Sequence, residues 1–148
     1  MHAQIDEEGC TAILKVKRLG LCDYLPVWHE MQSFTQQRDV ATPDQMWLLQ
    51  HSPVFTLGMN AKQEHLLAPG DIPVVDIDRG GQVTYHAPGQ LVAYVLLDLR
   101  RLGIGVRALV DALEQSVIEW LKCYGLSAET RSDAPGVYVE GAKLAALG

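Results

Sequence analysis

The chain has 148 residues, of which 48% are hydrophobic and 20% charged, and 12 basic against 18 acidic side chains give a formal net charge of -6. That balance suits one ordinary globular domain with a sizeable core. It argues against a general binder of nucleic acid or of an anionic membrane, because both need positive charge to meet phosphate, and no apolar run reaches the roughly 18 residues a transmembrane helix needs.

The three cysteines, Cys10, Cys22 and Cys123, form no CxxC pair. A scattered, odd set points to a reducing compartment rather than a disulfide scaffold. Met1 to Gly9 is acidic and lacks the apolar core of a secretory signal, so a cytoplasmic location is expected. His29, His51, His65 and His86 lack paired ligand spacing, so no metal cluster is expected; no cofactor is expected either. Arg100, Arg101 and Arg107 lie close together and read either as a solvated rim or as a local docking patch.

Residues 1–11 read as a loose terminus. Ile13 to Leu19 has the short mixed alternation of a strand. Tyr24, Val27, Trp28, Met31 and Phe34 recur at three- and four-residue steps, which predicts an amphipathic helix. Met46 to Leu49 and Val54 to Leu57 read as strands separated by His51-Ser52-Pro53. Pro69-Gly70-Asp71 is a turn, and Ile72 to Ile77 a short apolar strand. Leu91 to Leu99 is almost continuously apolar, which predicts a central strand buried on both faces. Val106, Leu109, Val110, Leu113, Val117, Trp120 and Leu121 form a helical stripe that stops near Gly125. Val137-Tyr138-Val139 and Lys143 to Leu147 flank Glu140-Gly141 as a hairpin. The expected fold class is α/β of the α+β type, a mixed β-sheet with packed helices and more strand than helix.

The densest polar chemistry lies between Arg79 and Gln90: Arg-Gly-Gly-Gln-Val-Thr-Tyr-His-Ala-Pro-Gly-Gln. Gly80-Gly81 removes two side chains beside a delocalised cation and lets backbone N–H groups approach a ligand. Arg79 is suited to a carboxylate, a phosphate or a structural acid, and Asp78 is the nearest acid. In an extended segment Thr84 and His86 share one face and Tyr85 takes the other. Taken alone, any one of these glycines is better explained by a bulged strand, and a lone His86 reads either as structural or as catalytic.

Arg79-Gly80-Gly81-x-x-Thr84-Tyr85-His86-x-x-Gly89-Gln90, with Tyr94 downstream, resembles the signature of the lipoyl(octanoyl) transferase family. Pro53 to Gly58 followed by Glu64-His65-Leu66-Leu67 is similar to that family's early block. Asp133-Ala134-Pro135-Gly136-Val137-Tyr138-Val139 and Gly141-x-Lys143-Leu144-Ala145-Ala146-Leu147-Gly148 are similar to its later block. The resemblance runs from about Tyr24 to Gly148.

It implies a fold like the biotin/lipoate protein ligase catalytic domain. It also implies transfer of an octanoyl group from octanoyl-acyl carrier protein to a lysine of a lipoyl domain, in 2-oxoacid dehydrogenases and in the glycine cleavage H protein. No nucleic acid or membrane partner is implied. Arg79, Gly80, Gly81, Gln82, Val83, Thr84, Tyr85 and His86 match one substrate-binding segment. Ala146, Leu147 and Gly148 match a second that lines the acyl pocket. Lys143 matches a catalytic lysine, whereas spacing alone reads it as a solvent-facing strand residue. The family's nucleophile is a cysteine in a Pro-Cys-Gly setting C-terminal to Gly148. None of Cys10, Cys22 and Cys123 has that context, so the expectation is a single catalytic-type acyltransferase domain over residues 1–148 that lacks its C-terminal part and is inactive alone. Gln50 stands where many relatives carry glutamate. Two other readings stay open: an ATP-dependent lipoate or biotin ligase, which the run from Arg79 into Thr84-Tyr85-His86 disfavours, and a non-catalytic module that binds an acyl chain or lipoyl domain.

Overall fold

Asp44–His51 is the central strand of the first sheet, paired along both edges, and its side chains alternate between buried and less buried positions. Trp47, Leu49 and His51 point to one side and are buried, with Trp47 fully so. A computed structural model describes residues 14–61, 65–132 and 134–148. The loose terminus with Cys10, and Ile13, Glu64 and Asp133, lie outside the described residues. Two units form, Met1–Leu97 and Asp98–Gly148.

In the first unit, β1 (Leu14–Cys22) leads into α1 (Tyr24–Gln37), then β2 (Asp44–His51), β3 (Val54–Leu57), β4 (Val74–Asp76), β5 (Val83–His86) and β6 (Val92–Leu96). β2 pairs parallel with β1 and antiparallel with β6, giving the order β1-β2-β6. β3 likewise pairs parallel with β4 and antiparallel with β5, in the order β4-β3-β5. Both sheets are therefore mixed. The α1 stripe falls as its spacing requires: Tyr24 and Val27 are buried, and Trp28, Met31 and Phe34 pack as half-buried neighbours. Pro26 is tolerated in the first turn, where its missing N–H has no intrahelical acceptor to lose. Val27, Trp47 and Leu49 form one core cluster, and Tyr24, Val54 and Ile77 a second. The Trp47 indole N–H donates to Gln45 Oε1 at 2.8 Å, so its polar atom is satisfied in the dry core. Removing such a side chain from water stabilises by about 1.5–3 kcal/mol.

In the second unit, Asp98 caps α2 (Leu99–Leu102) by accepting the backbone N–H groups of Arg100 and Arg101, each at 3.1 Å. α3 (Val106–Lys122) follows, then β7 (Glu129–Thr130), β8 (Gly136–Val139) and β9 (Ala142–Ala146), antiparallel in the order β7-β8-β9. Glu140 and Gly141, at φ 50° and 81°, form the left-handed pair that a I′ hairpin turn demands.

Two expectations need correction. Leu91 to Leu99 is not the buried centre. β6 covers only Val92–Leu96, stands at the end of the order β1-β2-β6 and is half-buried, while Leu99 begins α2. Its apolar run serves one packed face, and the two-sided position belongs to β2. The mixed sheet architecture expected from the sequence is present as three small sheets among the described residues, the first two of them mixed. The Ile72–Ile77 strand shortens to Val74–Asp76, because Pro73 has no ladder N–H to offer.

Candidate functional site

The polar loop of the first unit is pinned at Gly58, where β3 ends. Gly58 N–H donates to Gln82 O at 3.2 Å and Met59 N–H to Arg79 O at 2.9 Å. A Cβ at Gly58 would stand 2.6 Å from Gly81 O, 2.9 Å from Gly80 O and 3.0 Å from Arg79 Nη1, so only glycine lets the loop lie this close. Arg79 then reaches back across two strands. Nη1 donates to Gly80 O at 2.8 Å. Nη2 lies within donating distance of Thr56 O at 3.2 Å, Thr56 Oγ1 at 3.0 Å, Gln82 O at 3.1 Å and Thr84 Oγ1 at 2.7 Å. All five acceptors are neutral. Asp78, the expected acid, is not a partner: the guanidinium turns inward to hydroxyls and carbonyls, and Asp78 is exposed beside it.

β5 has the alternation its sequence requires. Thr84 and His86 face Thr56, and Tyr85 lies on the other side against the Phe55 ring at 4.9 Å. His86 Nδ1 is 2.6 Å from Gln90 Oε1, while Gln90 Nε2 donates to Tyr85 O at 3.5 Å. An amide oxygen only accepts, so these partners assign the proton to Nδ1 and leave Nε2 bare. Nε2 has only a long contact, 3.5 Å, to the Thr56 hydroxyl.

His51 repeats the pattern. Its Nδ1 donates to Cys22 O at 3.1 Å, and its Nε2 accepts from the Tyr94 hydroxyl at 2.8 Å. The rings of His51 and His86 meet edge-on at 5.7 Å, and Tyr24 stacks on His86 at 5.9 Å and tilts against His51 at 5.0 Å. Burial first, and then the Arg79 cation, holds His86 below its ordinary pKa of 6.5, although the Gln90 hydrogen bond opposes this. Burial likewise lowers His51, and burial raises both the Tyr24 and Tyr94 phenols. The cluster thus presents two neutral imidazoles and two protonated phenols at neutral pH.

In the second unit, Lys143 extends along the start of β8. Its Nζ donates to Pro135 O at 3.1 Å and stands 5.3 Å from the Tyr138 ring centroid. Gly136 is buried at φ 141°, and a Cβ there would stand 2.5 Å from Ala145 O, 3.3 Å from Lys143 Cε and 3.4 Å from Lys143 Cδ. Gly136 N–H donates to the buried Glu114 carboxylate at 2.7 Å.

Residues 23–148 match the lipoyl protein ligase A/B catalytic domain. The chain belongs to that family. It is 62% identical over 138 residues to an octanoyltransferase of Azotobacter vinelandii, covering 93% of this chain and 63% of that protein. It is 63% identical over 136 residues to an octanoyltransferase of Saccharophagus degradans, covering 92% of this chain and again 63% of that protein. The chain therefore spans less than two thirds of the length of these relatives. Protein Ta0514 of T. acidophilum, a candidate lipoate protein ligase of known structure, superposes with a TM-score of 0.62 at 14% identity, covering 84% of this chain and 54% of that one. At that identity the likeness establishes the shared fold, which is the ligase-type α+β architecture expected from the sequence.

For this member of the family, the fold brings Arg79, Thr84 and His86 together on one face and directs Tyr85 away from them. Gly80, Gly81 and Gln82 form the exposed loop above, where Gln82 Oε1 meets His65 Nδ1 at 3.0 Å. Val83 is half-buried and pairs with Leu57. Ala146 closes β9 opposite Gly136, followed by half-buried Leu147 and exposed Gly148. Lys143 is exposed, with its Nζ on a carbonyl. Gln50 Oε1 accepts the Gly89 N–H at 2.7 Å, so a neutral amide suffices to hold the Pro-Gly turn. Cys22 is half-buried with its thiol on Leu19 O at 3.3 Å, and Cys123 is exposed. Among the described residues no group of His, Cys, Asp or Glu has the composition of a metal site, and no helix is long and apolar enough to cross a membrane.

Sequence reasoning missed Thr56, His51, Glu114 and Gly136 and undervalued Gln90, Tyr24 and Tyr94. The signal for His51 was its phase: it follows Trp47 and Leu49 at period two, which places it on the core face of β2. Thr56 follows Val54 in the same way on β3.

Proposed function

We propose that the protein to which this chain contributes is an octanoyltransferase. It moves an octanoyl group from octanoyl-acyl carrier protein to a lysine of lipoyl domains, those of 2-oxoacid dehydrogenases and of the glycine cleavage H protein. The observation that carries this reading is the 62% identity across 93% of the chain to a protein named octanoyltransferase. In this reading residues 1–148 are one catalytic-type domain working in the cytoplasm without cofactor, consistent with the free thiols of Cys22 and Cys123.

The reaction runs in two steps. A cysteine thiolate attacks the octanoyl thioester carbonyl; a carbon–sulfur bond forms to the enzyme, the carrier's carbon–sulfur bond breaks, and the carrier thiolate takes up the proton that the cysteine released. The lysine amine of the lipoyl domain then attacks the acyl-enzyme; the amide bond forms, the enzyme's carbon–sulfur bond breaks, and the ammonium proton returns to the cysteine sulfur. Following the family resemblance, we place the nucleophile in a Pro-Cys-Gly segment C-terminal to Gly148; of the described cysteines, Cys22 borders the Trp47 core and Cys123 sits at the end of α3. Lys143 is the catalytic lysine. As an ammonium it favours the cysteine thiolate, and it relays protons for the attacking amine. Arg79 to His86 and Ala146 to Gly148 bind the acyl substrate. Gly80-Gly81 supports this by exposing backbone N–H groups, and the small Ala146 by leaving room beside β9.

The test uses the protein expressed from its whole reading frame, with anything that continues past Gly148 included. Mixed with octanoyl-acyl carrier protein, it gains the mass of one octanoyl group, and the gain transfers to an added lipoyl domain. No gain, or an ATP-dependent adenylate made from free octanoate, overturns the reading.

A further inference from the structure

Glu114 is a carboxylate with 8% of its surface exposed, on a helix whose other buried residue is Leu121. Burial of a carboxylate is costly unless it is hydrogen-bonded. Its partner is the Gly136 N–H, 22 residues away, at 2.7 Å. This contact joins α3 to the first residue of β8 and fixes one against the other.

Gly136 in turn sets the path of the Lys143 side chain. The Cβ it lacks would press on Lys143 Cε and Cδ and on Ala145 O. Pro135, immediately before it, provides the carbonyl that receives the Lys143 ammonium. One edge of a single dipeptide thus carries the helix anchor, the methylene track and the acceptor. Strand pairing sets the Lys143 backbone opposite Tyr138, just beyond the register shift between Val137 and Tyr138, and the track then sets the course of its side chain back toward Pro135.

We propose that Glu114 is a positioning residue for Lys143, acting through Gly136. It anchors the Pro135-Gly136 track, and the track fixes where the lysine nitrogen stands. This rests on the reading of Lys143 as the catalytic lysine.

The test compares Glu114→Gln, Glu114→Ala, Gly136→Ala and Lys143→Ala in octanoyl transfer by the whole protein. Glu114→Gln keeps an acceptor oxygen for Gly136 and retains the wild-type rate to within a few-fold. Glu114→Ala lowers kcat by roughly 10- to 100-fold with KM for the acyl donor little changed, the signature of a misplaced catalytic group, since an error of about 1 Å costs about 10²-fold. Gly136→Ala keeps the Glu114 carboxylate but crowds both the track and, at 2.5 Å, the Ala145 carbonyl, so it is read per folded molecule and gives the same split; it carries the test if Glu114→Ala does not fold. A rate per folded molecule that is unchanged in Glu114→Ala or Gly136→Ala overturns the proposal, as does a loss in KM alone. Glu114→Gln failing as badly as Glu114→Ala also overturns it, because buried charge would then matter rather than the anchor. If Lys143→Ala transfers normally, the catalytic reading of Lys143 has failed instead.

Discussion

Gly58, Gly81 and Gly80 meet the same loop under three different constraints, so alanine at each should rank in a fixed order. At Gly58 the new Cβ meets two backbone oxygens, at 2.6 and 2.9 Å, and Arg79 Nη1 at 3.0 Å. Backbone cannot rotate away, so the loop must move; overpacking of this kind costs about 1–3 kcal/mol. The move also strains two hydrogen bonds, Gly58 N–H to Gln82 O and Met59 N–H to Arg79 O, each worth about 1 kcal/mol. Against this stands a gain of about 0.4–1 kcal/mol from a stiffer unfolded chain. The net loss for Gly58→Ala is about 2–4 kcal/mol. Gly81 has φ 92° and one contact at 3.1 Å, to the far end of the Arg79 side chain, so alanine there costs about 1–2 kcal/mol, mostly for the left-handed backbone. Gly80 has neither a contact within 4 Å nor a positive φ, so alanine there is neutral or gains up to about 1 kcal/mol. Thermal unfolding reads the order directly. At about 2–4 °C per kcal/mol, Gly58→Ala should lower Tm by roughly 5–15 °C while Gly80→Ala stays within a few degrees of wild type. Equal losses at Gly58 and Gly80, or no loss at Gly58, would refute the argument that close approach, rather than loop flexibility, requires these glycines.

Both imidazoles of the cluster titrate below 6.5 because burial disfavours their charged forms. The unfolded chain therefore binds protons that the native chain refuses; their contribution to stability is complete above about pH 6.5 and declines as pH falls through that value toward the lowered native ones. Urea midpoints at pH 7.5 and 5.5 check this, and equal midpoints contradict it. Tyr94→Phe removes the donor to His51 Nε2 inside the core and should cost about 1–3 kcal/mol by urea unfolding; an unchanged midpoint would mean that nitrogen is satisfied otherwise. Gln90→Ala removes the acceptor that holds the His86 proton on Nδ1, so nitrogen-15 spectra of the imidazole should show the proton redistributing to Nε2, with His51 unaffected; a wild-type His86 already protonated at Nε2 would overturn the assignment.

The elements whose periodicity is strong were legible in the sequence. The α1 stripe from Tyr24, the α3 helix from Val106 and the Glu140-Gly141 hairpin stand where their spacing put them, although Val106 and Trp120 of the α3 stripe are exposed. The middle of the first sheet was not legible, because two signals conflict there. Leu91 to Leu97 is more hydrophobic than Asp44–His51, yet β2 is the strand with partners on both sides. Hydrophobicity reports what a strand touches on its faces, whereas centrality in a sheet depends on its edges. Polar residues in core phase were lost for a related reason. His51 next to Ser52-Pro53 resembles the start of a loop, which masks its period-two phase, and its pairing with Cys22 and Tyr94, 29 and 43 residues away, fixes it in the interior. The Thr84/His86 against Tyr85 alternation was legible because it needs only an extended backbone. The inward turn of Arg79 was not, because its acceptors Thr56 O and Oγ1 lie 23 residues upstream on another strand.

That inward turn bears on why an arginine stands at the head of the motif. A lysine ammonium has three donors on one nitrogen. The guanidinium spreads five over a rigid plane, and here two of its nitrogens reach acceptors on β3, on β5 and within their own loop. The fork is a brace between two strands as much as a ligand group. Its acceptors are all neutral, so bracing does not cancel its charge. The surplus acts on its surroundings as a field: Arg79 is one of the causes that hold His86 in its neutral form, and it opposes the upward push of burial on both Tyr24 and Tyr94. A carboxylate partner such as Asp78 would have fixed the loop equally well while removing that field. Pairing the cation with hydroxyls and carbonyls does both jobs with one side chain, keeping the loop on β3 and leaving a positive potential over the face that carries Thr84 and His86.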